Sequence, residues 1–236
     1  MFDPFRLKDV LIEYKQNFVS QRWGNEKYKW EAVKWFQDHW DVNAADFPEM
    51  LSRSLDKTFN LLTSANHFPR GMIVDFARSA PEEVRSMFIA LFDESKDVFE
   101  RMEDFRKQSS DLLEKYGSND TQHYQYENAI STYLWLRYPD KYYIYKFGEA
   151  KAVALELNSD YRFKKGAFAD NIRNFLRLYD EISLALKEDT ELVNLFQSQL
   201  TETCYADPEL KTLTIDVGFY IIVVPLSRTK KRGRRV

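Results

Sequence analysis

The sequence predicts a mainly α, multi-helix globular domain with a few short β-strands in its C-terminal half. Three observations carry that expectation. Apolar residues recur at helical spacing along most of the chain. Glycine and proline are scarce, seven of each in 236 residues, which argues against a loop-rich all-β fold. Aromatic residues reach 16%, as 18 Phe, 14 Tyr and 5 Trp, and rings that each bury a large area are expected to dominate a helical core. A chain of this length buries roughly 70% of the surface its unfolded form exposes, so it needs no disulfide or metal to hold together.

The first helix is expected from Phe5 to Trp23, with Leu7, Val10, Leu11, Tyr14 and Phe18 as its apolar stripe and Asp3-Pro4 as cap and first turn. Gly24-Asn25 is expected to break it. A second helix follows from Glu26 to Trp40 with a broad aromatic face, and Asp46 caps a third that carries Phe47, Leu51, Leu55, Phe59 and Leu62. After a loop at Asn66 to Gly71 comes a short helix at Met72 to Arg78. Ser79-Ala80-Pro81-Glu82-Glu83 then starts a helix that runs to Phe92, with acidic residues at its positive dipole end. Asp93 or Ser95 opens the next, which ends at Gly117-Ser118-Asn119. An aromatic helix spans His123 to Leu136.

Tyr142 to Lys146 is rich in β-favouring residues and is expected to be a short strand. Glu149 to Leu157, Phe168 to Leu186 and Thr190 to Leu200 are expected to be helices, and Leu213 to Val224, split by Gly218, a strand or bulged strand pair. Residues 1–227 form one domain in this reading, with a soft lobe break at 117–122. Residues 228–236 form a basic, disordered tail.

Composition narrows the function classes. Cys204 is the lone cysteine, so no internal disulfide is possible, and it is expected to be structural. No apolar run approaches the roughly 18–20 residues of a membrane helix, and the N-terminus lacks a signal-peptide pattern. A cytoplasmic protein without membrane partners is expected. The net charge is −3, but Arg228, Lys230, Lys231, Arg232, Arg234 and Arg235 are concentrated in the tail. The remaining 28 basic and 37 acidic residues leave a body near −9. Such a body repels a phosphate backbone, so any DNA contact must be local.

No glycine pair forms a phosphate-binding loop, and His39, His67 and His123 are too dispersed to hold zinc with one cysteine. No cofactor is expected. Pro139-Asp140 followed by Glu149-Ala150-Lys151 matches the PD…ExK pattern of metal-dependent nucleases. In those enzymes two carboxylates hold Mg²⁺ and the lysine positions the attacking water. Asp140, Glu149 and Lys151 are the candidate catalytic residues of that alternative, although the stretch around Glu149 has helical character where such sites use a strand. Lys164-Lys165-Gly166 and the tail are the basic segments able to meet phosphate.

The blocks Tyr28 to Gln37, Phe47 to Leu51, Phe68-Pro69-Arg70-Gly71-Met72, Leu91 to Ser95 and Tyr133 to Lys146 together resemble the N-terminal region of large bacterial McrB-like AAA+ proteins. Those are the nucleotide-hydrolysing subunits of restriction systems directed at modified DNA, and the similarity spans roughly Phe5 to Tyr220. The resemblance implies a non-catalytic recognition or interaction module. Its partners would be DNA and the AAA+ motor or restriction nuclease subunit of the same system. No motor lies before Val236, so nucleotide hydrolysis is not expected of these residues. For DNA contact the candidates are Arg70, Lys164, Lys165 and the tail cations Arg228, Lys230, Lys231, Arg232, Arg234 and Arg235. Tyr142, Tyr143 and Tyr145 are the candidate stacking rings. A protein–protein docking module with no DNA contact is the alternative that the acidic body and aromatic helices favour.

Overall fold

The computed structural model describes residues 1–64, 67–117 and 120–223. The described residues are mainly helical, about 70%, with twelve α-helices. In chain order they are α1 (Pro4–Asn17), α2 (Gly24–Glu26), α3 (Tyr28–His39), α4 (Phe47–Ser54), α5 (Pro69–Ser79), α6 (Pro81–Leu91), α7 (Val98–Tyr116), α8 (Glu127–Arg137), α9 (Phe147–Glu156), α10 (Phe168–Glu188), α11 (Thr190–Gln197) and α12 (Lys211–Val223). A π-helical turn, Phe18–Trp23, joins α1 to α2, and a 3₁₀ turn, Asp56–Leu61, follows α4. The described residues contain no sheet, only an isolated bridge between Ser64 and His67.

The chain divides into two compact units. Of the described residues, the first comprises 1–27, 140–202 and 206–223, and the second those within 28–139 together with 203–205. The boundaries fall at Lys27/Tyr28 and Pro139/Asp140. Residues 117 and 120–122, around the expected lobe break, fall in the second unit.

The first unit is organised around α12, which packs against α1, α9 and α10. Leu213, Val217 and Ile221 are fully buried, and so are Thr212, Thr214 and Asp216. A helix buried on every side carries no amphipathic period. For that reason the β-branched run Leu213 to Val224, expected to be a strand, is a helix up to the last described residue, Val223. Periodicity cannot separate a short buried strand from a buried helix. Gly218 lies where α12 meets α10: a Cβ there would sit 2.5 Å from the Tyr179 hydroxyl oxygen. Asp207 starts α12, its fully buried carboxylate accepting from the Thr212 and Leu213 amides at 3.1 and 2.8 Å.

Asp216 places a carboxylate in this apolar interior. Its Oδ2 accepts from the Tyr14 hydroxyl at 2.7 Å and its Oδ1 pairs with Arg22 Nη2 at 2.6 Å. Arg22 also lies 3.5 Å from Glu26. The π turn makes this possible. Its wider winding turns Phe18, Arg22 and Trp23 inward together, with the Phe18 and Trp23 rings 5.8 Å apart. Burial, reinforced by Asp216, holds the Tyr14 phenol well above its usual range. Gly24-Asn25 therefore does not end the helical path, which continues through α2.

Tyr142 to Lys146, expected to be a strand, has no regular secondary structure and pairs with no strand among the described residues. Tyr142, Tyr143, Ile144 and Tyr145 are all buried. The rings of Tyr143 and Tyr145 pack on Phe175 of α10 at 6.0 and 5.1 Å, and the Tyr143 hydroxyl donates to Asp180 at 2.9 Å. Their β-favouring character reflects a fit to a packed interior, not a ladder.

In the second unit α8 is the inner helix, buried from Ala129 to Leu136. The Phe88 ring meets Trp40, Phe105 and Tyr133 at 5.2, 5.3 and 5.3 Å. Buried Gln125 joins three segments, donating to the Pro69 carbonyl at 2.8 Å, accepting from the Tyr133 hydroxyl at 2.8 Å and bonding His123 through its own amide. Asp3, Asp46 and Asp189 cap α1, α4 and α11 through side-chain bonds to amides. Asp97 caps α7 in place of Asp93 or Ser95, because the Asp93 carboxylate is taken by the Ser95 amide and hydroxyl at 3.1 and 2.6 Å.

Asp216→Ala is expected to destabilise the protein by about 3–5 kcal/mol, because it strands the Arg22 guanidinium in the interior. Gly218→Ala is expected to cost about 1–3 kcal/mol, the overpacking against Tyr179 outweighing the gain in helix propensity. Denaturant titration measures both. An unchanged midpoint in either variant contradicts the packing described.

Candidate nucleic-acid interface

The basic residues that converge belong to the first unit, at the connection between α9 and α10. Asn158 ends α9 in the left-handed region at φ 50°. The buried Ser159 amide bonds back to the Ala154 carbonyl at 2.8 Å, and the Ser159 hydroxyl oxygen accepts from the Tyr161 amide at 3.1 Å. The first residues of the chain brace the loop. The Asp3 amide donates to the Leu157 carbonyl and the Asp160 amide to the Met1 carbonyl, both at 3.0 Å.

Beyond Arg162, Asn171 of α10 pins the chain on both sides of Lys164. Its Oδ1 accepts from the Lys164 amide at 3.0 Å and its Nδ2 donates to the Lys164 carbonyl at 2.8 Å. Asn174 donates to the Arg162 carbonyl at 2.9 Å. Gly166, at φ 84°, supplies the left-handed turn that returns the chain into α10. The backbone that carries Arg162, Lys164 and Lys165 is thus fixed by side chains of α10, although the loop has no regular structure.

These elements enclose a cleft of about 360 Å³. Lys151 and Leu155 line it from α9, and Asn158, Tyr161, Arg162 and Phe163 line it from the loop. Arg162 points its guanidinium over the loop and bonds the Ser159 carbonyl through Nη1. Among the described residues no carboxylate lies within ion-pairing distance of Lys151, Arg162, Lys164 or Lys165. The neighbouring acids have other partners: Glu149 pairs with Lys146 at 2.8 Å, and Glu181 accepts from the Tyr161 hydroxyl at 2.6 Å. From 151 to 165 the chain holds four basic and two acidic residues, a positive segment on an acidic body. Chemically, it offers ammonium and guanidinium donors to an anion beside an aromatic and aliphatic wall.

Lys164 and Lys165 are exposed and follow the cleft-lining Phe163 in the same loop, without lining the cleft themselves. Tyr142, Tyr143 and Tyr145, expected to stack on bases, are 5%, 1% and 5% exposed. As core residues they offer no face to a base. Arg70 belongs to the second unit, where its Nη2 pairs with Asp56 and donates to the Ser52 carbonyl at 3.3 Å, so its guanidinium is held by its own unit. The tail cations Arg228, Lys230, Lys231, Arg232, Arg234 and Arg235 lie outside the described residues.

Sequence reasoning missed Arg162 and assigned Lys151 to a different chemistry. The signal for Arg162 was its spacing: two residues before Lys164, it extends the basic run across one loop. Lys151 joins only through the fold, because the turn at Asn158 brings the loop back to α9.

The strand that the PD…ExK reading needs is not there. Glu149 sits in the first turn of helix α9 and forms its ion pair with Lys146, while Asp140 is exposed. Among the described residues no three His, Cys, Asp or Glu side chains gather to hold a metal ion, and no helix is long and apolar enough to cross a membrane. Comparison with family models, with curated proteins and with solved structures yields no match.

Proposed function

We propose that this chain is a non-catalytic recognition module of a McrB-like restriction protein and that it contacts DNA phosphates through Lys151, Arg162, Lys164 and Lys165. One observation carries the reading: four exposed cations, Lys151 of α9 and Arg162 lining the cleft and Lys164 and Lys165 following Arg162 in the braced loop, have no carboxylate partner among the described residues. A cation paired to a carboxylate has little left to offer a phosphate, whereas an unpaired one gains from counterion release when it meets a polyanion. The loop's fixed backbone lowers the ordering cost of such contacts. The acidic remainder of the body limits DNA to this side of the first unit. The block resemblance supplies the rest of the reading, in which the AAA+ motor or the nuclease subunit of the same system is the protein partner.

Fluorescence anisotropy with cytosine-methylated and unmodified duplexes at low salt tests the proposal. The parent protein is compared with a variant whose six tail cations are replaced by Gln, and with Lys151→Ala, Arg162→Ala, Lys164→Ala and Lys165→Ala combined. The tail variant is expected to keep measurable binding. The combined variant is expected to lose at least about tenfold in affinity for both duplexes. Equal affinity of the combined variant and the parent, or no binding by any of them, rejects the assignment.

A further inference from the structure

A second feature, confined to the second unit, is independent of the DNA reading. Phe59 in the 3₁₀ turn after α4 has φ 39° and ψ −127°, a conformation that residues with a Cβ rarely adopt. The residue is nevertheless 53% exposed. Burial therefore does not explain the strain, and strain of this kind concentrates at binding sites. The Phe59 ring stands edge-on to Tyr28, with centroids 6.3 Å apart and planes at 84°. Trp35 of α3 completes the set. Its face is fixed, since its Nε1 donates to the Arg53 carbonyl at 2.7 Å and its ring stacks on His39 at 3.8 Å.

An ammonium already rests against these rings. Lys57 Nζ lies 5.5 Å from the Trp35 centroid and 6.0 Å from the Phe59 centroid. Among the described residues it has no carboxylate within ion-pairing distance. The cation of Lys57 is thus held by ring faces, whose quadrupoles attract positive charge. Ring faces favour a weakly hydrated, alkylated ammonium over a strongly hydrated one, because less water must be stripped from it.

We propose that Tyr28, Trp35 and Phe59 form a binding site for an alkylated ammonium group, and that Lys57 occupies it in the absence of ligand. The strained turn presents the Phe59 face, and the tethered Lys57 lowers the apparent affinity until a better cation displaces it.

Intrinsic tryptophan fluorescence on the full chain, titrated with tetramethylammonium chloride and in parallel with N-acetyl-trimethyllysine amide, tests this. Potassium chloride of matched ionic strength is the control. Lys57→Ala is expected to give saturable binding about two- to fivefold tighter than the parent. Phe59→Leu, which keeps an apolar side chain but removes the π face, is expected to abolish the saturable response, and Phe59→Tyr to retain it. Circular dichroism checks that each variant is folded, and should Phe59→Leu unfold, the comparison of Lys57→Ala with the parent decides. Tighter binding of the trimethyllysine amide assigns the ammonium to a polypeptide side chain, and equal binding assigns it to a free small cation; either supports the site. A Lys57→Ala protein that shows no saturable binding, or responds equally to potassium chloride, overturns the proposal, as does a folded Phe59→Leu protein that binds like the parent.

Discussion

The carboxylate of Asp216, fully buried in α12, is the constraint on which the first unit depends. An ion in that setting is tolerable only with complete hydrogen bonding and a counter-charge. Tyr14 and Arg22 supply both, and they do so from two successive kinds of helix, α1 and the π turn. The position of α12 is therefore locked to α1 by a directional contact that apolar packing alone does not give. Because α9 and α10 both lean on α12, the loop between them inherits that placement. The basic cleft is a loop feature, but its geometry is set by helices.

Charge distribution explains why that loop matters. With 37 acidic residues in the chain, phosphate is repelled by most of the body, and attraction depends on local runs. Several cations elsewhere are tied to acids: Arg22 to Asp216, Arg70 to Asp56, Lys15 to Asp189 and Glu191. The loop after α9 differs. Its polar backbone is satisfied by Asn171 and Asn174 rather than by carboxylates, so the fold braces it without cancelling its charge.

Much of the helical framework was legible in the sequence. Asp3, Asp46 and Pro81 mark helix starts through local chemistry that needs no tertiary context. The expected aromatic core is also present: the twelve largest fully buried side chains among the described residues are all aromatic. What failed was strand assignment, and for one physical cause. Leu213 to Gly218 and Tyr142 to Tyr145 are buried at every position, so their sequences carry composition without period. A buried helix, a buried extended segment and a buried strand then look alike. The same burial removed the three tyrosines from the candidate site. For the site itself, Lys164 and Lys165 were visible as a local run. The inclusion of Lys151 was not, because it depends on the left-handed turn at Asn158, and the sequence around Asn158 has no glycine to announce it.

The number of phosphates engaged by the first unit is the most direct measure of the account. It is read from the salt dependence of duplex affinity in a protein whose tail cations are neutralised. Four phosphate contacts predict a slope of about −3.6 for log K against log salt. A slope near zero, with binding that persists at high salt, would contradict a surface built on Lys151, Arg162, Lys164 and Lys165.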